Sequence, residues 1–203
     1  MSDYVIPQPS QPSLPVRGTD ARFPVRRIYC IGRNYADHAI EMGHDPDKEP
    51  PFFFQKNGDN IDSSGRFPYP PQTNDVHFEV EMIVALKSGG ANISEADAMQ
   101  HVFGYGIGLD MTRRDLQAAS KAKGRPWDTA KDVEKAGLST PLKPLDETMH
   151  HNKGLIELKQ NGAVVQTADM SDHVWSLPEV IADLSTLYTL TPGDLIMMGT
   201  PAG

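Results

Sequence analysis

The chain has 203 residues, 38% of them hydrophobic and 23% charged, with a formal net charge of −8 at neutral pH. Such a length and composition suit one globular domain with a core of useful size, and the acidic balance argues against a nucleic-acid partner, which needs a basic face. One Cys and no CxxC spacing argue against a disulfide framework or a thiolate zinc site; no apolar run nears the roughly 20 residues of a membrane span, and no signal-peptide layout opens the chain, so a reducing cytoplasm is the expected compartment.

Residues 1–25 carry five prolines and read as an extended N-terminal arm rather than a helix. RRIYCIG (26–32) is a buried-strand candidate ending in glycine. YADHAIEMG reads as a short amphipathic helix, with Asn34 as its cap and Gly43 as its stop. PPFFFQK (50–56) is another strand, opened by proline. HFEVEMIVAL (77–86) reads as a strand, polar in its first half and buried in its second. Ser94 and Asp97 bracket the start of a short helix. VFGYGIGLD (102–110) is a glycine-rich strand ending on an acid, and Thr112 to Lys123 a helix closed by Gly124. LIELKQ-NG-AVVQT (155–167) predicts a hairpin with a type I′ turn at Asn161–Gly162. Ser176-Leu-Pro-Glu179 is a capping box for a helix reaching Tyr188, and Pro192–Gly193 turns the chain into DLIMMG, a last short strand. Strands dominate without strict alternation with helices. That predicts an α+β fold with mixed sheet.

Chemistry concentrates in a few acids and bases. Glu79 and Glu81, two apart on a strand, face the same way. Two close carboxylates repel unless a cation lies between them, and an all-oxygen pair suits Mg²⁺ or Mn²⁺. The bland alternative is a solvated acidic face. Asp110, at a strand end, would add a third ligand; its alternative role is to cap the helix that follows. His38 and Glu41, at i and i+3, share a helix face, where a carboxylate can orient an imidazole as a base; a surface pair is the alternative. Arg114, Gln117 and Lys131 could serve an anionic substrate beside the metal, or lie on the surface. His101, His150, His151 and His173 read as surface or loop residues, and the two tryptophans as core.

The ordered blocks GRNYADHAIE (32–41), PPFFFQK (50–56), HFEVE (77–81), GYGIGLDMTRRDLQ (104–117), GRPWDTAK (124–131) and GDLIMMGTPAG (193–203) resemble the fumarylacetoacetate hydrolase family. Within it, the wording is most similar to members that cleave fumarylpyruvate. The resemblance implies a mixed β-roll of the family's C-terminal-domain type with short peripheral helices, usually a homodimer. It implies a catalytic domain over 26–203 that lacks its C-terminal end. It implies a metal site for Mg²⁺ or Mn²⁺ at Glu79, Glu81 and Asp110. It implies a water-activating dyad of His38 and Glu41, a catalytic Lys131, and substrate contacts from Arg33, Lys56, Arg114, Gln117 and Thr200. Two departures stand out: Asp132–Val133–Glu134 follows the lysine where the family has a Gly-Phe-Asp-like stretch, and Asn57 stands where a proline usually follows FFFQK.

The implied activity is hydrolysis of the carbon–carbon bond of an acylpyruvate, fumarylpyruvate to fumarate and pyruvate, in aromatic-compound degradation by the gentisate route. The expected partner is a small anionic diketo acid, not a nucleic acid or a membrane. Two rivals remain: an oxaloacetate decarboxylase of the same family, and a non-catalytic small-acid-binding protein.

Overall fold

The computed structural model describes residues 4–36, 50–145 and 152–203. An eight-stranded mixed sheet organises them. Its order is β4 (Phe52–Asn57), β3 (Arg27–Gly32), β14 (Leu195–Met197), β7 (Val80–Leu86), β8 (Val102–Asp110), β10 (Gly137–Ser139) and β5 (Ile61–Asp62), with β11 (Lys143–Pro144) also paired to β8. β14 runs parallel to β3, and β10 to β5; the other neighbours are antiparallel. This is the α+β, mixed-sheet architecture the sequence predicts, with short helices around it.

Period-2 alternation sorts the side chains onto two faces. Tyr29, Ile31, Met82, Val84, Leu86 and Ile196 face one core, under α4 (Leu177–Leu187) and α1 (Glu95–Ala98). Ile28, Cys30, Ile83, Ala85, Leu195 and Met197 face a second core. With both faces covered, the central strands read as continuous apolar runs, as strands buried on both sides do. The N-terminal segment is extended, and it also packs into the second core. β1 (Ser13–Pro15) and β2 (Arg22–Pro24) pair as a hairpin that buries Leu14 and Phe23 there. Leu142 N donates to Pro15 O at 2.9 Å, tying the hairpin to the domain.

Two elements begin later than the pattern predicts, for one reason. Val76–His77 (β6) leaves the sheet to pair with Thr112–Arg113 (β9). The expected 77–86 strand is thereby broken at Phe78–Glu79, and α2 (Arg114–Ala122) starts two residues after Thr112. Gly124, at φ +60°, closes α2 as expected. The hairpin of β12 (Leu155–Gln160) and β13 (Ala163–Asp169) turns at Asn161 (φ +51°) and Gly162 (φ +88°), the pair of positive angles a type I′ turn requires. The Ser176–Glu179 capping box opens α4, and Ser94 caps α1. α3 (Asp128–Lys131) is a single turn. Among the described residues no helix is long and apolar enough to cross a membrane.

Glycine in β8 is a packing requirement. A Cβ on Gly108 would lie 2.3 Å from Ile83 Cδ1 and 2.3 Å from the Leu138 carbonyl. Ile83 and β10 can therefore close against β8 only if position 108 is bare, which brings Asp110, on the same face of the strand, beside β7.

Candidate metal centre and active site

Glu79, Glu81 and Asp110 converge. One carboxylate oxygen from each lies within 4.8 Å of the others, and all three residues are buried. The break before β7 does not scatter them, because Asp110 N donates to Glu79 O at 2.8 Å and holds the two strand ends together. The solvated-face reading of the Glu pair is thus wrong. So is the capping role for Asp110, whose carboxylate faces Lys56 and Lys131.

A layer of cations backs the acids. Lys131 Nζ donates to Glu79 Oε2 and, at 2.7 Å, to Asp110 Oδ2. Arg114 Nη2 donates to Glu79 Oε1 at 2.5 Å, and its Nη1 to Gln117 Oε1 at 2.5 Å. Lys56 Nζ lies 2.7 Å from Asp110 Oδ1 and donates to the Lys131 carbonyl and, at 3.4 Å, to that of Met111. The sequence thus brings Lys56 of β4 and Lys131 of α3 onto the same carboxylate.

The electrostatics divide the acids. Burial alone would raise Glu79, but Lys131 and Arg114 outweigh it and hold the carboxyl at about 2. Glu81 is the reverse case. Burial, then the Asp110 and Glu79 charges, push it well above the ordinary carboxylate range, against the pull of Lys131 and of the Gly199 N–H, which donates to Oε2 at 2.8 Å. Burial would lower Lys131, but Asp110 and Glu79 hold it above the ordinary lysine range. Asp110 Oδ1, for all its closeness to Lys56, has no hydrogen bond of acceptable geometry among the described residues. Three crowded oxygen ligands, one destabilised by its neighbours and one short of a hydrogen bond, fit a hard divalent cation.

The pocket wall is aromatic. The Phe52 ring meets Trp127 edge-on at 5.6 Å, and Phe54 lies 5.7 Å from the same indole. Trp127 is therefore a wall of the site, not core. Lys131 Nζ stands 5.0 Å over the Phe54 ring, and the Arg33 guanidinium 5.1 Å over Phe52. Arg33 holds φ +58°, rare for a residue with a side chain.

Thr200 is buried, with its hydroxyl accepting from Gln166 Nε2 at 3.0 Å. Gln166 also donates to Pro201 O and accepts from Val80 N, both at 2.9 Å, so one side chain from the β12–β13 hairpin joins the strand bearing Glu81 to the loop bearing Thr200. A Gln on an exposed-looking hairpin strand gives no sequence signal of that role. Gly199, at φ +91°, passes so close to Asn34 that a Cβ would lie 2.8 Å from it. The Asn34 side chain itself donates to Met198 O and Trp175 O and accepts from Trp175 N.

His77, close to the Glu pair in sequence, is exposed and pairs with Asp75 at 3.1 Å, outside the site. His173 lies in a loop, as the sequence suggests, but it is half-buried there: its ring packs on Tyr35 with centroids 4.5 Å apart, and burial pulls its pKa down to about 4. The dyad pair His38 and Glu41, along with His150 and His151, lies outside the described residues. The two departures from the family pattern meet each other. Asp132 accepts from Asn57 N at 2.9 Å, from Asn57 Nδ2, and from Asn60 Nδ2 at 2.5 Å.

Comparison with known proteins agrees with this geometry. A fumarylpyruvate hydrolase from Ralstonia sp is 42% identical over 165 residues, covering 80% of this chain and 85% of its own. A mitochondrial oxaloacetate decarboxylase from Dictyostelium discoideum is 34% identical over 179 residues, covering 88% and 82%. The crystal structure of fumarylpyruvate hydrolase from Pseudomonas aeruginosa in complex with Mn²⁺ and pyruvate superposes with a TM-score of 0.95 at 42% identity, covering 99% of this chain and 88% of that one. Residues 27–203 match the model of the fumarylacetoacetate (FAA) hydrolase C-terminal family, and the chain belongs to that family.

Proposed function

We propose that this protein hydrolyses the carbon–carbon bond of an acylpyruvate, with fumarylpyruvate, the substrate named for the Ralstonia and Pseudomonas relatives, as its substrate, and with Mg²⁺ or Mn²⁺ held by Glu79, Glu81 and Asp110. The observation that carries the reading is the convergence of three buried carboxylates, backed by Lys56, Lys131 and Arg114. Glu79, Glu81 and Asp110 would hold the ion, which would supply Lewis acidity toward the pyruvoyl end of the substrate and offset the repulsion among the acids.

The chain's own groups do the rest. His38, with Glu41 as the partner that the family resemblance implies, accepts a proton from water, and the hydroxide equivalent adds to the distal acyl carbonyl. The bond between that carbon and the methylene breaks, the acyl part leaves as a free acid, and the methylene takes a proton to give pyruvate. The difficult moment is the departure of the pyruvate enolate. Lys131, kept charged by Asp110 and Glu79, presents a fixed positive group that is itself buried, where such stabilisation is strongest. Arg114 and Gln117, linked to each other, position the substrate from α2; Lys56 holds the Lys131 main chain, and Gln166 holds Thr200.

Oxaloacetate decarboxylation is the second reading, favoured by the Dictyostelium relative. It would use the same pyruvoyl grip without attacking water. The test is pyruvate release from a panel of acylpyruvates and oxaloacetate, with and without a chelator. The expected result is pyruvate plus a free acid, abolished by chelation and restored by Mn²⁺. Release of carbon dioxide from oxaloacetate alone would replace hydrolysis by decarboxylation, and silence on the whole panel would leave a small-acid binder.

A further inference from the structure

We propose that Gln166 is a positioning residue that fixes the direction of the Thr200 proton, making that hydroxyl a one-way donor to an anionic oxygen at the pyruvoyl end of the substrate. This rests on the acylpyruvate reading and adds to it a side chain behind the pocket wall that decides what Thr200 can bind.

The orientation of the Gln166 amide is settled twice over. The pairing of β14 with β7 ends at Met197 and Ile83, and the chain turns away after Met198 N donates to Met82 O at 3.0 Å. The Val80 N–H, further along β7, is met instead by Gln166 at 2.9 Å, and only the amide oxygen can accept it. On the other side of the amide stands the Pro201 carbonyl, 2.9 Å away, and only the amide nitrogen can donate to it. Reversing the amide would break both contacts, so Nε2 faces Thr200.

That orientation uses both amide hydrogens, one on Pro201 O and one on Thr200 Oγ1 at 3.0 Å. Gln166 and Thr200 are both buried, so no bulk water competes for these groups. The Thr200 oxygen is thus engaged as an acceptor, and its own hydrogen has to point elsewhere. No acceptor among the described residues takes it. The side chain lines the pocket shared by Glu79, Glu81 and Lys131. The preceding residue, Gly199, donates its N–H to Glu81 Oε2 at 2.8 Å, which sets Thr200 beside the metal ligands, where the pyruvoyl group would sit. A hydroxyl presenting a lone pair there would repel a carboxylate; one presenting hydrogen attracts it without adding a charge.

The test uses Gln166→Glu, which keeps the shape. Ionised, the new carboxyl can only accept, so it turns the Thr200 hydrogen onto itself; protonated, it can still donate. Two quantities are measured at saturating Mn²⁺: kcat/KM for fumarylpyruvate, and the affinity for oxalate, a dianion that imitates the pyruvoyl oxygens. Relative to wild type, both should fall by about 10- to 100-fold as the pH rises from about 6 to 9, the range for losing one charge-assisted hydrogen bond. In a Thr200→Val background the same substitution should add no such loss. Gln166→Met, which neither donates nor ionises, should lower both quantities at every pH, again only while Thr200 is present. Wild-type values in Gln166→Glu and Gln166→Met overturn the assignment, as do losses that persist without the Thr200 hydroxyl. So does a Mn²⁺ affinity more than about tenfold weaker, which would make Gln166 a support of the metal strand instead. Oxalate affinities that follow the expected pattern in a protein that releases no pyruvate would sink the acylpyruvate reading and leave the direction of the Thr200 proton standing.

Discussion

Replacing His173 by Phe should remove a block of pH-dependent instability whose size the structure sets. The ring is packed against Tyr35, and its Nε2 is buried without a hydrogen-bond partner among the described residues. Burial lowers its pKa from 6.5 to about 4, with Asp172 opposing weakly. A base whose folded pKa lies below its unfolded value is protonated first in the unfolded chain. Stability is therefore lost as pH falls through 6.5 towards 4, while near and above pH 7 the group contributes almost nothing. At pH 5 the unfolded imidazole is nearly all charged and the folded one nearly all neutral, a loss of about 2 kcal/mol relative to pH 7. Phe keeps a ring on Tyr35 and cannot titrate. Urea unfolding of the two proteins, both in chelator, at pH 7.5 and pH 5.0 measures the effect, since carboxylates common to both cancel in the difference. The stability of the variant relative to wild type should rise by about 2 kcal/mol between the two pH values. A change below about 0.5 kcal/mol would show that His173 takes up its proton in the folded state as readily as in the unfolded chain, and the burial argument would fail.

Gly108→Ala should destabilise by more than about 2 kcal/mol, because one of its two clashes is with the Leu138 carbonyl of a neighbouring strand; thermal unfolding near the wild-type Tm would contradict the packing account. Asp132→Ala removes the acceptor for Asn57 and Asn60 and should cost about 1–2 kcal/mol of stability in urea, with a larger fractional loss of kcat/KM because Lys56 and Lys131 are the neighbours of the two linked residues. Glu81→Gln should abolish the rise in Tm on adding Mn²⁺. In chelator, its stability relative to wild type should grow as pH increases above 4.5, since a carboxyl whose folded pKa is raised weakens the folded state across that interval; a flat difference would contradict the account of burial reinforced by the Asp110 and Glu79 charges.

Local chemistry was the most legible part of the sequence. Asn161–Gly162, the Ser176–Glu179 box and Gly124 each act within a few residues, and each lies where the pattern puts it. The acids Glu79, Glu81 and Asp110 were legible because carboxylates two apart on a strand, and another at a strand end, have few places to point. What the pattern could not carry was pairing at long range. The ribbon between Val76–His77 and Thr112–Arg113 shortened one strand and delayed one helix, and nothing in either segment announces the other. Gln166 and His173 were missed for the same reason: their environments are made by residues far away in sequence, Val80 and Thr200 for one, Tyr35 for the other. Trp127 was misread because an indole in the wall of a pocket has the same sequence signature as one in a core.

The hairpin that supplies Gln166 has two ends with different tolerances. Its tip, Asn161–Gly162, is exposed, and a Cβ at Gly162 would meet nothing among the described residues. Its base plugs the seam between β7 and the Thr200 loop. A fluorophore or peptide label inserted at the tip would hang in solvent at the end of a lever whose fulcrum adjoins the strand bearing Glu81, offering a place from which to watch ligand arrival at a distance from the carboxylates.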